Sequence, residues 1–239
     1  MTLKPVAIFQ HDPTDPPGHF AIFLERNQLP YRVFKLPEGD LVPGSSADFS
    51  GLCFMGGAMS VNDDIDWIEP CLALIRDAVA RDVPVIGHCL GGQLLSKALG
   101  GVVTRNPVKE IGWNAVDVED TPLARDWLGE GLRRFETFQW HGETFTIPPF
   151  GERILTGEYC PNQAYVIGNR HLGMQCHVEM TAEMIESWCV DGAGEIAESR
   201  ASPAVHEPEV IRAQMQERLA PLEDVAERLY ARWMRSLAT

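Results

Sequence analysis

Basic residues are scarce in this chain: 20 Lys and Arg stand against 34 Asp and Glu, a formal net charge of −14 over 239 residues. Such a surface repels a phosphate backbone, so nucleic acid is not expected as a partner. No apolar stretch approaches the roughly 20 residues of a membrane-spanning helix, and no membrane partner is expected. The six cysteines, at 53, 71, 89, 160, 176 and 189, include no Cys-x-x-Cys pair, the usual frame of a structural zinc site. There is no Gly-x-x-x-x-Gly-Lys-Ser/Thr loop, which removes support for nucleotide hydrolysis. The acidic run Asp63, Asp64 and Asp66 lacks the glycine and terminal glutamate of a calcium loop and reads as the acidic start of a helix. Repeats and low-complexity tracts are missing too. The start, Met1-Thr2-Leu3-Lys4-Pro5, passes almost at once into a strand-like run with no leader pattern. These absences point to a cytoplasmic, reducing-compartment protein with mostly buried thiols and neither metal nor organic cofactor.

What is present is an ordinary globular composition, 45% hydrophobic. In the first half, residues 6–9, 31–36, 51–55 and 83–86 read as apolar strands, and 20–27, 65–81 and 90–99 as helices. Continuous apolar strands alternating with helices predict a mostly parallel sheet covered on both faces. In the second half, residues 112–118, 134–139, 152–157, 164–168 and 172–176 read as strands whose shorter loops suggest antiparallel additions. Thr181 is placed to cap a helix over 181–190. Residues 191–203, rich in Gly, Ala, Ser and Glu, read as a mobile connection. Residues 208–237 read as a helix interrupted near Pro221. Its apolar stripe (Leu222, Val225, Ala226, Leu229, Tyr230, Trp233, Leu237) either packs on the domain or forms a homodimer or partner surface. The expected organisation is one domain over 1–239 with a helical C-terminal extension at about 204–239.

The central motif is Gly87-His88-Cys89-Leu90-Gly91-Gly92-Gln93, which follows a buried strand and opens a helix. A residue at so sharp a turn sits on strained backbone with its side chain pushed outward, and the glycines let other chain segments approach. The helix N-terminus adds partial positive charge that stabilises a thiolate. A lone cysteine beside a glycine turn would read as structural. In this frame Cys89 reads as a nucleophile, and the segment resembles the elbow of class I glutamine amidotransferases.

A cysteine nucleophile needs a histidine, itself oriented by a third group. Of the seven histidines, the resemblance selects His177. Gln175-Cys176-His177-Val178-Glu179 is similar to the family's Gln-Phe-His-Pro-Glu, with Cys176 for the aromatic and Val178 for the proline. His177 and Glu179 are two residues apart, so extended backbone turns both to one side. Attack on an amide also needs oxyanion donors, each worth about 2.7–4 kcal/mol. Leu90, next after the nucleophile, can offer its N–H. Met55-Gly56-Gly57-Ala58-Met59-Ser60 resembles the family's Gly-Gly-Pro-x-Ser, which implies Gly57 as the second donor. The resemblance further implies Gln93 as a substrate-holding residue. Trp140-His141-Gly142-Glu143 is similar to the Ser-His-Gly-Asp that lines the glutamine pocket, with Trp140 replacing a small residue. His141 as an alternative base is disfavoured for want of a carboxylate at suitable spacing. Lys109-Glu110-Ile111-Gly112-Trp113 is also similar to stand-alone family members, with no chemistry attached to it.

The resemblance spans roughly residues 5–190 and is nearest to the glutaminase domain of GMP synthase and its stand-alone relatives. It implies a flavodoxin-like α/β three-layer sandwich, with a central mostly parallel sheet and antiparallel additions. It also implies an enzyme that attacks the γ-carboxamide of glutamine through a cysteine thioester, releasing glutamate and ammonia. Amidotransferases pass that ammonia to a synthetase site, for which the residues after 190 offer no room. Three readings follow. In one, a separate synthetase subunit takes the ammonia. In another, the chain is a self-contained hydrolase or peptidase of another γ-glutamyl compound. In the last, it is a non-catalytic binding or regulatory module. A cysteine-elbow hydrolase or chaperone of the same broad fold usually has a histidine soon after the elbow, where this chain has Leu90.

Overall fold

Strands that are apolar at every position need cover on both faces, because successive side chains point to opposite sides. The computed structural model, which describes residues 3–237, meets that need. In β1 (Val6–Gln10), Val6 and Ile8 enter one core while Ala7 and Phe9 enter the other, all fully buried. Beside it lie β2 (Tyr31–Lys35), β3 (Gly51–Phe54), β4 (Val85–His88) and β9 (His171–Met174) in the order β2-β1-β3-β4-β9, all parallel. Past β9 the sheet becomes antiparallel through β8 (Ala164–Ile167), β7 (Gly151–Gly157) and β5 (Val103–Val118). β6 (Arg134–Phe145) pairs antiparallel with β5, and β10 (Ala204–Val205) pairs with β5 in parallel.

Helices α2 (Ile68–Ala80) and α3 (Leu90–Ala98) cover one face. The other is covered by α1 (Gly18–Arg26), α4 (Pro122–Leu128), α5 (Ala182–Asp191), α6 (Ala193–Ser199) and α7 (Pro208–Met234). The result is the expected three-layer α/β arrangement, mostly parallel at its centre. Thr181 caps α5 as its sequence position suggested, its hydroxyl accepting from the Met184 N–H at 3.3 Å. Among the described residues no helix is long and apolar enough to cross a membrane.

Three expectations change. Residues 191–203 are not a mobile connection: Asp191 ends α5 and α6 follows, anchored by buried Ile196. The stretch from about 204 begins with strand β10 before the helix, and residues 238–239 lie outside the described residues. The helix runs through Pro221 without interruption. Pro221 and Glu217 are both exposed, which puts the proline, and the carbonyl it leaves unpaired, on the outer side of the helix. From Leu222 to Trp233 the apolar stripe is buried within the chain, which excludes it as a dimer surface. Phe20 meets Tyr230 and Trp233 edge-on at 4.9 and 5.7 Å. Each such buried side chain stabilises the fold by about 1.5–3 kcal/mol.

Candidate active site

Cys89 occupies the junction of β4 and α3 with φ 47° and ψ −105°. Its neighbours explain how so sharp a turn closes. A Cβ on Gly91 would come within 2.0 Å of the Phe54 carbonyl oxygen, and one on Gly92 within 2.2 Å of that of Met174. Only glycine lets the helix start this close to strands β3 and β9. The Cys89 Sγ receives the Gln175 side-chain N–H at 3.5 Å and lies 4.0 Å from the Trp140 carbonyl oxygen. Gln93, one turn into α3, donates its amide to Gln175 at 3.1 Å and so supports that contact from behind.

His177 and Glu179 follow β9. The His177 backbone is pinned to β6, its N–H donating to Phe138 at 2.9 Å and its carbonyl accepting from the Thr137 hydroxyl at 3.2 Å. The ring Nδ1 meets Glu179 Oε1 at 2.5 Å, Nε2 has no hydrogen-bond partner, and the ring rests edge-on against Trp188 at 5.0 Å. Burial opposes a charge on His177. The Glu179 carboxylate, and after it the adjacent Cys89 sulfur, outweigh that and raise its pKa well above the usual histidine value. Burial likewise opposes charge on Glu179, but His177 and then His88 hold its pKa low. Behind Glu179, His88 Nε2 stands 4.0 Å from its second oxygen and 3.1 Å from the Tyr230 hydroxyl of α7. His88 Nδ1 is 3.8 Å from Cys53 Sγ; burial pushes that thiol well up, and Cys53 is fully buried.

Cys89, His177, Gly57, Gln93, Trp140, His141 and Gly142 all line one cavity of about 660 Å³. Leu90 opens α3 next to Cys89, and its side chain packs beside Gly57, where a Cβ would be 3.1 Å from Leu90 Cδ2. At His141 the structure corrects the expectation. Strand pairing supplies the carboxylate that its sequence spacing lacks: Glu110 lies opposite on β5, with Oε2 3.1 Å from His141 Nε2. His141 Nδ1 donates to the Glu143 carbonyl at 2.9 Å, so both ring nitrogens are engaged. Gln163 also donates to Glu110, at 3.1 Å, which gives the Lys109-Glu110 segment a structural task.

Other residues at the cavity had no sequence signal. Trp140 Nε1 donates to Glu195 of α6 at 2.7 Å, and Glu195 also pairs with Lys109. Trp188 Nε1 donates to the Thr14 carbonyl at 2.7 Å. Asp15, from the Pro/Gly-rich loop after β1, is buried at the cavity wall. Two groups bring metal-ligand atom types within 4.8 Å of one another: Asp15, His177 and Glu179, and Glu110, His141 and Cys160. In both, the histidine already contacts its carboxylate. In the second, burial raises the Cys160 thiol to about 11, where it holds its proton.

Fold and site together define an α/β protein with a cysteine on a strand-to-helix elbow and, on the same cavity, a histidine backed by a buried carboxylate. Residues 24–187 match the family described as glutamine amidotransferase class I, and the chain belongs to that family. It is similar to the crystal structure of a glutamine amidotransferase from Methylobacillus flagellatus, at 47% identity over 99% of this chain and 96% of that one, with a TM-score of 0.97. It is 28% identical to the glutamine amidotransferase-like protein YfeJ of Salmonella typhimurium, over 76% of this chain and 80% of that protein. It is 30% identical to a glutamine-hydrolysing GMP synthase subunit of Sulfolobus acidocaldarius, over 56% of this chain and 69% of the relative.

Proposed function

We propose that the chain is a glutaminase-type hydrolase that attacks a γ-glutamyl amide through Cys89. The observation that carries this reading is the 2.5 Å contact of Glu179 with His177 on the cavity that also holds the strained Cys89. His177 takes the Cys89 proton and Glu179 fixes the ring. The thiolate attacks the γ-carbonyl carbon, and the N–H groups of Gly57 and Leu90 receive the oxyanion. His177 then protonates the departing nitrogen, leaving a γ-glutamyl thioester that water converts to glutamate. Gln93, Trp140, His141 and Gly142 form the wall that holds the glutamyl part. The chain is read as a single domain closed by its C-terminal helix.

Glutamine is the substrate that the family implies. The cavity volume of about 660 Å³ favours a second, related reading, a self-contained hydrolase of a larger γ-glutamyl compound. Release of glutamate from glutamine and a panel of γ-glutamyl amides, beside Cys89→Ala, tests both. The variant is expected to lose at least about 10³-fold in kcat. A variant as active as the wild type would end the Cys89 reading. Weak glutamine turnover that rises when a synthetase is added would favour ammonia delivery.

A further inference from the structure

The geometry points to Asp15 as a second acid of the site, one that delivers a proton to the nitrogen released from a γ-glutamyl amide so that the amine departs as a cation. This rests on the Cys89–His177 reading above and deepens it, by naming amides of basic amines as the substrate class.

Asp15 is 2% exposed, and its Oδ1 has no hydrogen-bond partner. It lines the cavity of Cys89 and His177, with carboxylate and ring atoms of Asp15, His177 and Glu179 all within 4.8 Å. The chain makes room for it. A Cβ on Gly56 would lie 2.0 Å from Asp15 Oδ2 and 3.1 Å from His177 Cε1, so a bare backbone is required there. Burial raises the Asp15 carboxyl to about 8, with His177 opposing and Glu179 and Asp12 adding to the rise. At neutral pH it therefore holds a proton that it can give up, the condition for an effective general acid. The donor of the first proton, His177, and this second acid lie on the same part of the wall, where the leaving group must emerge.

The chemistry gives such an acid a task. When the C–N bond of the tetrahedral intermediate breaks, His177 supplies one proton and the nitrogen leaves as a neutral amine beside a thioester. With its lone pair free, that amine attacks the thioester and re-forms the amide. Transfer of the Asp15 proton to nitrogen occupies the lone pair, giving an ammonium ion beside the Asp15 carboxylate. Water then hydrolyses the thioester. The new γ-carboxyl group ionises, and its proton restores Asp15, so the cycle needs no outside acid. Besides Asp15, the cavity lining carries four carboxylates (Asp12, Glu143, Asp191 and Glu195) against two cations (Arg105 and Lys109), a balance that favours a departing cation. A site that hands neutral ammonia to a second active centre gains nothing from this acid, so Asp15 favours self-contained hydrolysis.

The test compares γ-glutamyl methylamide with γ-glutamyl 4-nitroanilide on the full chain. Methylamine takes a second proton at neutral pH; 4-nitroaniline does not. In the wild type, kcat for the methylamide is expected to fall as pH rises through about 8, with no such fall for the nitroanilide. The titratable groups beside Asp15 are His177 on the same stretch of wall, Glu179 buried behind it and Asp12 in its own loop. They serve both substrates, so their titration cancels in the comparison. Asp15→Asn is expected to cut the methylamide kcat about 10²-fold, to leave the nitroanilide within about twofold and to leave KM nearly unchanged; Asp15→Glu restores part of the loss. Equal losses on both compounds, or matching basic limbs in the wild type, would overturn the role of Asp15 while leaving Cys89 in place. Turnover of neither compound by the wild type would remove the Cys89 reading and this inference with it. The wild-type pH comparison decides the matter even where Asp15→Asn does not fold.

Discussion

At Cys89 the backbone occupies a region that costs a residue with a side chain about 1–3 kcal/mol. Glycine adopts it freely, and alanine does not. Cys89→Gly is therefore expected to be more stable than Cys89→Ala by about 1 kcal/mol in chemical denaturation, reversing the usual glycine penalty of about 0.5–1 kcal/mol. An alanine variant as stable as the glycine variant would show that the elbow is relaxed. The candidate site was partly legible at this scale. Cys89, His177 and Glu179 each sit in a short local motif, and motifs survive in a one-dimensional reading. Asp15, Trp188 and Glu195 reach the cavity only through tertiary packing, and nothing in their sequence neighbours marks them. Glu110 and His141 are 31 residues apart and meet through strand register alone. The conclusion that His141 is not free to act as the base stands, but because both its nitrogens are engaged rather than because a carboxylate is missing.

Among the elements, α7 ties the most distant parts together. Trp233 and Tyr230 fill the core against α1, and Tyr230 touches His88 behind Glu179. Trp233→Ala is expected to cost about 3–5 kcal/mol, read from the denaturation midpoint, because the cavity it leaves is walled by rigid neighbours. A cost below about 1 kcal/mol would mean that α7 is only loosely docked. Long periodic elements were readable from sequence. α4 was missed although its signals are present: Thr121 accepts from the Ala124 N–H, Pro122 opens the helix and Gly129 ends it. The outer part of β5 was missed for a different reason. Residues 103–110 alternate irregularly between buried and exposed, and a register shift separates Arg105 from Glu110, so no clean period exists. Short α6 has one buried anchor and no stripe to detect.

For the whole molecule, two buried histidines weaken the fold in acid. Burial lowers His11 to about 4, and burial followed by Arg170 lowers His171 to about 4. His171 Nδ1 accepts the Val85 N–H at 3.2 Å, a bond that protonation would break. Both folded values lie below the usual 6.5, so the unfolded chain binds more protons between about 6.5 and 4, and stability drops as pH drops across that window. Each histidine accounts for about 3 kcal/mol of that loss. The raised His177 acts in the opposite sense, its contribution being full below 6.5 and lost as pH rises through its folded value. His171→Asn, which keeps an acceptor for Val85, is expected to flatten the acid limb of the denaturation midpoint; an unchanged limb would clear His171. The parallel pairing of the first-half strands was legible from their composition, but residues 172–176, read with the antiparallel additions, form β9, which pairs in parallel with β4. The strand order was not legible, since β9 completes the parallel set from far along the chain.

The contact of Tyr230 with His88 spans 142 residues, and it sets an order of events during synthesis. A ribosome adding about 5–20 residues per second makes the elbow roughly ten seconds before it makes the helix that closes the wall behind it. The nascent chain thus carries the strained elbow before it has the α7 packing behind it. Every strand of the sheet is made before α7, so this support reaches the elbow after the sheet's own residues have emerged.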